Sequence, residues 1–168
     1  EVNIKILFSS MSKKLDKDKR NQILVEMTNN VADLVLTDNY QQTQILSVMQ
    51  ASGKDGLSQY QNLIKTLEQE INLNRAIEFL PDDEIFDRRR SKGQGMTRPE
   101  LAVLLAYSKI ALYNKIMDAN LTDQEFYVDY LVSYFPELMQ KKFQDDILNH
   151  PLRREIIATV LAHPLINR

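Results

Sequence analysis

The chain contains 168 residues, carries a formal charge of −2 at neutral pH and has no cysteine. This charge gives no general attraction to nucleic acid or to an anionic membrane, and the absence of cysteine excludes disulfides and thiolate metal sites. No segment has the ~20 consecutive apolar residues that a membrane-spanning helix needs, and no signal-peptide pattern opens the chain. We therefore expect a cytoplasmic protein that binds neither nucleic acid nor membrane.

Glycine and proline are scarce, at four and five residues. A chain of many short strands needs more turn residues than this, so the composition predicts an all-α fold, an irregular multi-helix bundle. The polar run after Leu80 suggests two helical lobes, with 1–80 as the N-terminal lobe, 81–96 as a polar connection and 97–168 as the C-terminal lobe. The chain starts without methionine and stops without a polar tail, so we expect a piece of a longer polypeptide.

The N-terminal lobe is predicted to contain several helices. The first residues fit a strand by their initial alternation and a helix by the spacing of Ile4, Leu7 and Met11, and the helix is favoured. A charged connection covers 13–20, and Asp18 is predicted to cap the helix that follows.

Helical spacing continues over 28–49 and ends at the clearest break in the chain. That break, 51–56, holds two glycines, which readily adopt the positive φ that ends a helix. Ser58 and Gln61 have the spacing of a capping box. The apolar residues after them fall on one face of a long amphipathic helix.

The strongest helix signal is the segment from Thr97 to Ala119. Thr97 and Glu100 form a capping box, and Pro99 falls in the first turn, where its missing N–H costs little. The segment is apolar on more than one face, which indicates a helix surrounded by others. We therefore expect Leu104→Asp to unfold the chain, because it buries an unpaired charge.

Three shorter helices are predicted downstream. Thr122 and Glu125 have capping-box spacing and would open the first. Pro136 begins the second, and Pro151 takes the N1 position of the last.

Several short patterns resemble functional sites and are better explained by structure. Residues 93–95 hold two glycines of a dinucleotide fingerprint, but no strand precedes them and the third glycine is missing. Residues 16–18 look like the start of an EF-hand loop, which needs a glycine and a glutamate where this chain has asparagine and methionine. His150 and His163 are too far apart for an i, i+4 metal pair, and we interpret both as helix-terminal residues.

The densest basic run is Arg88-Arg89-Arg90 with Lys92. No aromatic residue interleaves it, so a solvated loop or a salt-bridged contact with another domain is favoured over a phosphate or RNA contact. Arg89→Ala is then expected to leave folding nearly unchanged. The aromatic cluster over 127–135 is interpreted as a packing stripe and not as a base-stacking site. No residue is assigned as catalytic, cofactor-binding or metal-ligating.

A series of short phrases, in order along nearly the whole chain, has counterparts in one enzyme family. The phrases are Glu1-Val2-Asn3-Ile4-Lys5-Ile6, Arg20-Asn21, Met27-Thr28-Asn29-Asn30-Val31-Ala32, Leu34-Val35-Leu36, Asp38-Asn39-Tyr40, Phe79-Leu80-Pro81-Asp82-Asp83, the stretch from Thr97 to Ile110, Tyr134-Phe135-Pro136, His150-Pro151-Leu152-Arg153-Arg154-Glu155-Ile156-Ile157-Ala158-Thr159 and Asn167-Arg168. In these phrases the chain resembles the large bacterial NAD-specific glutamate dehydrogenases. None of them is a catalytic motif.

The resemblance implies a parent enzyme that oxidatively deaminates L-glutamate to 2-oxoglutarate and ammonia, with NAD as hydride acceptor. It places the catalytic residues and the nucleotide-binding unit upstream of Glu1, so this fragment is expected to be inactive and to bind no cofactor itself. The implied partners are the upstream catalytic domain of the same chain and further copies in a homo-oligomer. The implied role is structural, oligomerising or regulatory; a free-standing helical protein-interaction module is the alternative.

Overall fold

A computed structural model of the chain describes residues 2–11 and 14–166, with side chains as far as His163. Over these residues the chain is helical and contains no strand, which confirms the all-α prediction. The helices are α1 (Val2–Ser10), α2 (Lys17–Glu26), α3 (Thr28–Ala51), α4 (Leu57–Ile71), α5 (Asp83–Lys92), α6 (Arg98–Asp118), α7 (Val128–Ser133), α8 (Glu137–Lys142), α9 (Gln144–Leu148) and α10 (Arg153–Ile166). Short 3-10 turns lie at Gly53–Gly56, Leu121–Asp123 and Glu125–Tyr127.

The chain forms two compact units. The terminal unit combines the residues up to Asn39 with Lys115–Pro164, and the central unit contains Tyr40–Asn114. These units divide the chain differently from the predicted lobes 1–80 and 97–168, because both boundaries fall inside the long helices α3 and α6. Breaks in sequence pattern therefore do not coincide with the limits of the compact units.

The segment 81–96, predicted as a polar connection, contains helix α5. Asp82 caps its start by accepting a hydrogen bond from the Ile85 backbone N–H at 2.7 Å. Gly93 ends it in the left-handed conformation with φ 67°. Acidic residues in the first turn and basic residues in the last turn complement the helix dipole. The run is polar because most of this helix faces solvent. Composition alone does not distinguish such an exposed helix from a loop.

The structure confirms one predicted helix cap and replaces another. The Thr97 backbone N–H donates to the Glu100 carboxylate at 2.8 Å at the start of α6, as expected for a capping box. Helix α2 is capped by Asp16 in place of Asp18, through a 2.8 Å hydrogen bond from the Lys19 N–H. The start of the predicted connection, Lys13, lies outside the described residues.

Two predicted capping boxes are wrong. The residue before α4 is Gly56, which has no side chain to cap the helix, so the Ser58–Gln61 box does not form. Thr122 and Glu125 lie in separate 3-10 turns, and α7 begins only at Val128. Thr122 is instead fully buried and accepts a hydrogen bond from Arg154 at 3.2 Å. The Thr122 hydroxyl, which the local pattern predicted to cap a helix, thus binds a side chain distant in sequence instead.

Each unit has its own hydrophobic core. In the central unit, α4, α5 and α6 surround the fully buried Phe86, Leu101 and Leu104, which agrees with the central place predicted for α6. The core of the terminal unit, called the terminal core below, joins residues from both ends of the chain. Its buried members are Ile4, Leu7, Phe8, Ile23, Met27, Leu131, Phe135, Met139, Ile147, Ile156 and Ile157.

Candidate functional site

The terminal core is the feature of the structure that connects distant parts of the sequence. Helices α1 and α2 contribute one side of it, and helices α7 to α10 contribute the other. Leu7 on the first side and Leu131 on the second have no exposed surface. Burying a leucine side chain stabilises a fold by about 1.5–3 kcal/mol. The N-terminal helices are therefore held by apolar contacts with the C-terminal ones.

His150 adds a polar connection to the terminal core. Its ring is 2% exposed and lies 5.7 Å from the ring of Phe135. The Leu152 backbone N–H donates to Nδ1 at 3.0 Å, so Nδ1 has no hydrogen and Nε2 carries it. Nε2 then donates to the carbonyl oxygen of Asn3 in α1, also at 3.0 Å. His150 therefore connects α1 to the turn before α10 through both ring nitrogens.

Two further contacts extend this connection. The Asn3 side chain donates to the Tyr134 hydroxyl at 2.8 Å. The rings of Phe8 and Phe143 meet edge to face with centroids 5.7 Å apart. Both pairs join α1 to residues more than a hundred positions further along the chain.

Ion pairs lie at the margins of the terminal unit. Lys142 approaches Glu26 at 3.3 Å, and His163 Nδ1 approaches Asp38 at the same distance. These side chains are 37–52% exposed, so each pair contributes little to stability. The two histidines thus differ: His150 is buried between α9 and α10, whereas His163 lies at the surface of α10.

The basic run of α5 is partly a structural network in the central unit. Arg89 donates both terminal nitrogens to the two oxygens of Glu100 at 2.7 Å, and the two side chains are 15% and 13% exposed. Arg90 bonds Asp87 at 2.6 Å and also contacts Gln61. This pairing does not fit a solvated run, and it leads us to expect that Arg89→Ala destabilises the fold, because that change strands a largely buried carboxylate.

The electrostatics of Glu100 follow from this pairing. Burial would raise the pKa of Glu100, but the hydrogen bonds from Arg89 and Thr97 and the charge of Arg89 outweigh it, so the pKa lies below its usual value. The hydrogen bond to Glu100 in turn raises the pKa of Arg89. The pair is accordingly ionised at neutral pH and fixes α5 to the start of α6.

The glycines of 93–95 have structural explanations. Gly93 supplies the positive φ that ends α5. A Cβ on Gly95 would come within 2.8 Å of the backbone of Gly53, so only glycine permits that close approach. The described residues form no strand and hence no βαβ unit.

The aromatic cluster packs along a helix as predicted. Phe135 is 1% exposed, and its ring meets that of Tyr134 edge to face at 5.2 Å. The rings of Tyr127 and Tyr130 lie 6.0 Å apart. Within residues 2–11 and 14–166 we find no grouping of three acidic or histidine side chains suited to a metal ion, and no helix long and apolar enough to cross a membrane.

Two family models of known proteins match this chain, and the ranges that they match differ from the ranges of the two compact units. Residues 1–49 match a family model described as the catalytic domain of bacterial NAD-glutamate dehydrogenase. Residues 93–168 match one described as the C-terminal part of glutamate dehydrogenase. The first match covers α1, α2 and most of α3, so the catalytic-domain family extends past Glu1, where the sequence resemblance had placed its end.

Curated relatives align with nearly the whole chain. Over 169 residues, covering 99% of this chain, it is 42% identical to the NAD-specific glutamate dehydrogenase of Pseudomonas aeruginosa, 38% to that of Mycobacterium tuberculosis and 37% to that of Halomonas elongata. The chain spans only about 10% of the length of each of these relatives. The chain therefore belongs to the bacterial NAD-specific glutamate dehydrogenase family.

Proposed function

We propose that this chain is a non-catalytic helical part of an NAD-dependent glutamate dehydrogenase, which holds the end of the catalytic domain against the C-terminal region. The observation that carries the proposal is the terminal core. Its α1 and α2 residues belong to the catalytic-domain match, and its α7 to α10 residues belong to the C-terminal match. Two parts that share one core move as one body, so the C-terminal region acts as a brace.

The reaction of the proposed parent enzyme is the conversion of L-glutamate, NAD and water to 2-oxoglutarate, ammonia and NADH. NAD accepts the hydride there and is bound elsewhere in the polypeptide. The residues of this chain have a structural role in this proposal. Packing of Leu7 against the terminal core with Leu131, and the hydrogen bond from His150, hold α1 in place. The partners in this proposal are the catalytic domain of the same chain and, in the assembled enzyme, other copies of the subunit.

Helix α3 supports a contact with the rest of the catalytic domain. It has 24 residues, and none of them is buried. In its first half, within the terminal unit, Leu34, Val35 and Leu36 are 48%, 53% and 66% exposed. A long helix with apolar residues on several sides is typical of one that other parts of a protein surround. The catalytic-domain match includes these residues, which favours that domain as the covering surface.

The proposal is tested first with the isolated chain. We expect no NADH when it is mixed with L-glutamate and NAD, because the described residues lack a dinucleotide fold. The full-length enzyme under the same conditions is the positive control. Glutamate-dependent NADH formation by the pure fragment would show that the fragment is itself catalytic.

A second test uses the full-length enzyme with His150→Ala. The change leaves the Asn3 carbonyl without its partner, which costs about 1–3 kcal/mol. We expect faster thermal inactivation and unchanged KM values for L-glutamate and NAD, because His150 braces the fold without touching either substrate. Val25→Ala, at a side chain that is 75% exposed in α2, is the control and should change neither property. A raised KM at unchanged stability would place His150 in the active site and contradict the brace.

A further inference from the structure

A tight turn after α4, within the central unit, has the geometry of a helix end. The Glu78 N–H donates to the Asn74 carbonyl at 3.0 Å, and the Leu80 N–H donates to the Arg75 carbonyl at 2.9 Å. The Asn74 side chain also accepts two backbone N–H groups of the turn at 3.0 and 3.2 Å. Phe79 has φ 54°. It occupies the left-handed position of a Schellman motif, where glycine is the usual residue.

Side chains brace this turn from both sides. Arg75 donates to both oxygens of Glu68 at 2.7 and 2.9 Å and to Asp83 at 3.2 Å. The Tyr107 hydroxyl of α6 donates to Glu78 at 2.6 Å. These bonds fix the turn on α4, α5 and α6, so the direction in which it presents its side chains is set before any partner arrives.

The braced turn directs apolar side chains into solvent. Leu80 belongs to the core and is only 7% exposed, whereas Phe79 is 89% exposed and Ile77 is 70% exposed. We call Ile77 and Phe79 the turn patch. A bulky residue is here kept in a backbone conformation that disfavours it, while its ring gains no packing within the described residues.

We propose that the turn patch docks into an apolar pocket on the upstream, catalytic part of the same polypeptide. The inference rests on the proposed function, because it needs the chain to be part of the larger enzyme. Rigidly presented aromatic side chains are the usual anchors of protein interfaces. The relatives place about nine-tenths of the polypeptide outside this chain, so a large tethered surface is available.

The size of the patch favours this occupant over a second copy. An aromatic side chain buries roughly 150–250 Å², so the two apolar side chains of the patch offer roughly 500 Å² at most. A stable contact between separate chains buries about 800 Å² on each partner. A patch of this size is too small to hold two free chains together. Tethering removes that difficulty, because a covalent link gives the contact an effective concentration on the order of millimolar.

The test places the photo-reactive analogue p-benzoylphenylalanine at Phe79 in the full-length enzyme. We expect irradiation to give a cross-link that keeps the mass of one subunit and maps upstream of Glu1. A product with twice the subunit mass would assign the patch to a second copy and overturn the proposal. Cross-links confined to residues 1–168 would also overturn the proposal. The control is the same analogue at Lys92, an exposed position on α5, and a Phe79 yield no higher than the Lys92 yield would overturn the proposal as well.

A second measurement keeps the backbone of the turn intact. Phe79→Gly suits the positive φ and removes the ring, whereas Phe79→Leu keeps an apolar side chain. In the full-length enzyme we expect the glycine variant to lose amide-exchange protection in the cross-linked upstream segment and the leucine variant to retain most of it. Equal protection in both would overturn the docking. The brace in the terminal unit is tested separately by His150→Ala. A failure of the docking proposal can therefore be told apart from a failure of the brace.

Discussion

Glu100 shows how a single carboxylate can serve a local and a distant role. Its capping of Thr97 follows from a spacing of three residues, which the sequence displays. Its pairing with Arg89 spans eleven residues and depends on the reversal of the chain at Gly93. The sequence could therefore predict the cap, but the basic run looked solvated because its partner is reached only through that reversal.

Arg89→Ala is expected to lower the free energy of unfolding of the chain by about 1–3 kcal/mol, because it leaves Glu100 largely buried without its partner. Chemical denaturation of the two proteins at neutral pH measures the difference. Arg88→Ala, at an exposed position of the same helix, is the matched control and should lie within about 0.5 kcal/mol of the parent. Equal losses for both variants would contradict a specific role for the Arg89 pair.

The pH dependence of that difference has a definite sign. The pKa of Glu100 is lower in the folded state than in the unfolded chain, so the pair stabilises the fold above the unfolded pKa, about 4.3. That contribution disappears as the pH falls through the folded pKa. The gap between parent and Arg89→Ala should hence be full at pH 7 and shrink as the pH falls through the acid range in which Glu100 takes up its proton, first in the variant and then in the parent. A gap that grows on acidification would contradict this ionised pair.

At the scale of elements, the sequence predicted helix content well and helix limits unevenly. Helix α6 begins where the Thr97–Glu100 pattern puts it, because cap and apolar run agree. The Ser58 and Thr122 patterns have the same spacing but form no caps, since Gly56 precedes one helix and Arg154 binds the other hydroxyl. The same local spacing therefore forms a capping box at Thr97 but not at Ser58, where the helix begins elsewhere, or at Thr122, where a tertiary partner binds the hydroxyl.

The contact between α1 and the loop before α9 gives an element-scale prediction. Phe8→Ala and Phe143→Ala should show a coupling energy of about 0.5–1.5 kcal/mol in a double-mutant cycle, because the rings meet edge to face. Denaturation of the single and double variants measures it. Phe8 combined with Phe126, which is 76% exposed and packs on Tyr127, is the control pair and should be additive. Additivity in the Phe8–Phe143 cycle would mean that the rings do not interact.

At the scale of the whole molecule, the sequence identified the family but not the grouping of its parts. The predicted lobes followed the polar run at 81–96, yet the terminal unit joins residues from both ends of the chain. Contacts such as His150 with Asn3 span 147 positions, and no local pattern reveals them. The family matches add that this unit joins residues matched by the catalytic-domain model to residues matched by the C-terminal model.

Amide hydrogen exchange of α1 in the full-length enzyme tests this shared core most directly. Leu131→Ala and Leu104→Ala remove equally buried leucines from the terminal and the central core, and each costs about 2–5 kcal/mol. We expect Leu131→Ala to speed exchange throughout Val2–Ser10, and Leu104→Ala to speed it in α4 while leaving Val2–Ser10 near the parent rate. If Val2–Ser10 exchanges at the parent rate in Leu131→Ala, the C-terminal region does not brace the end of the catalytic domain.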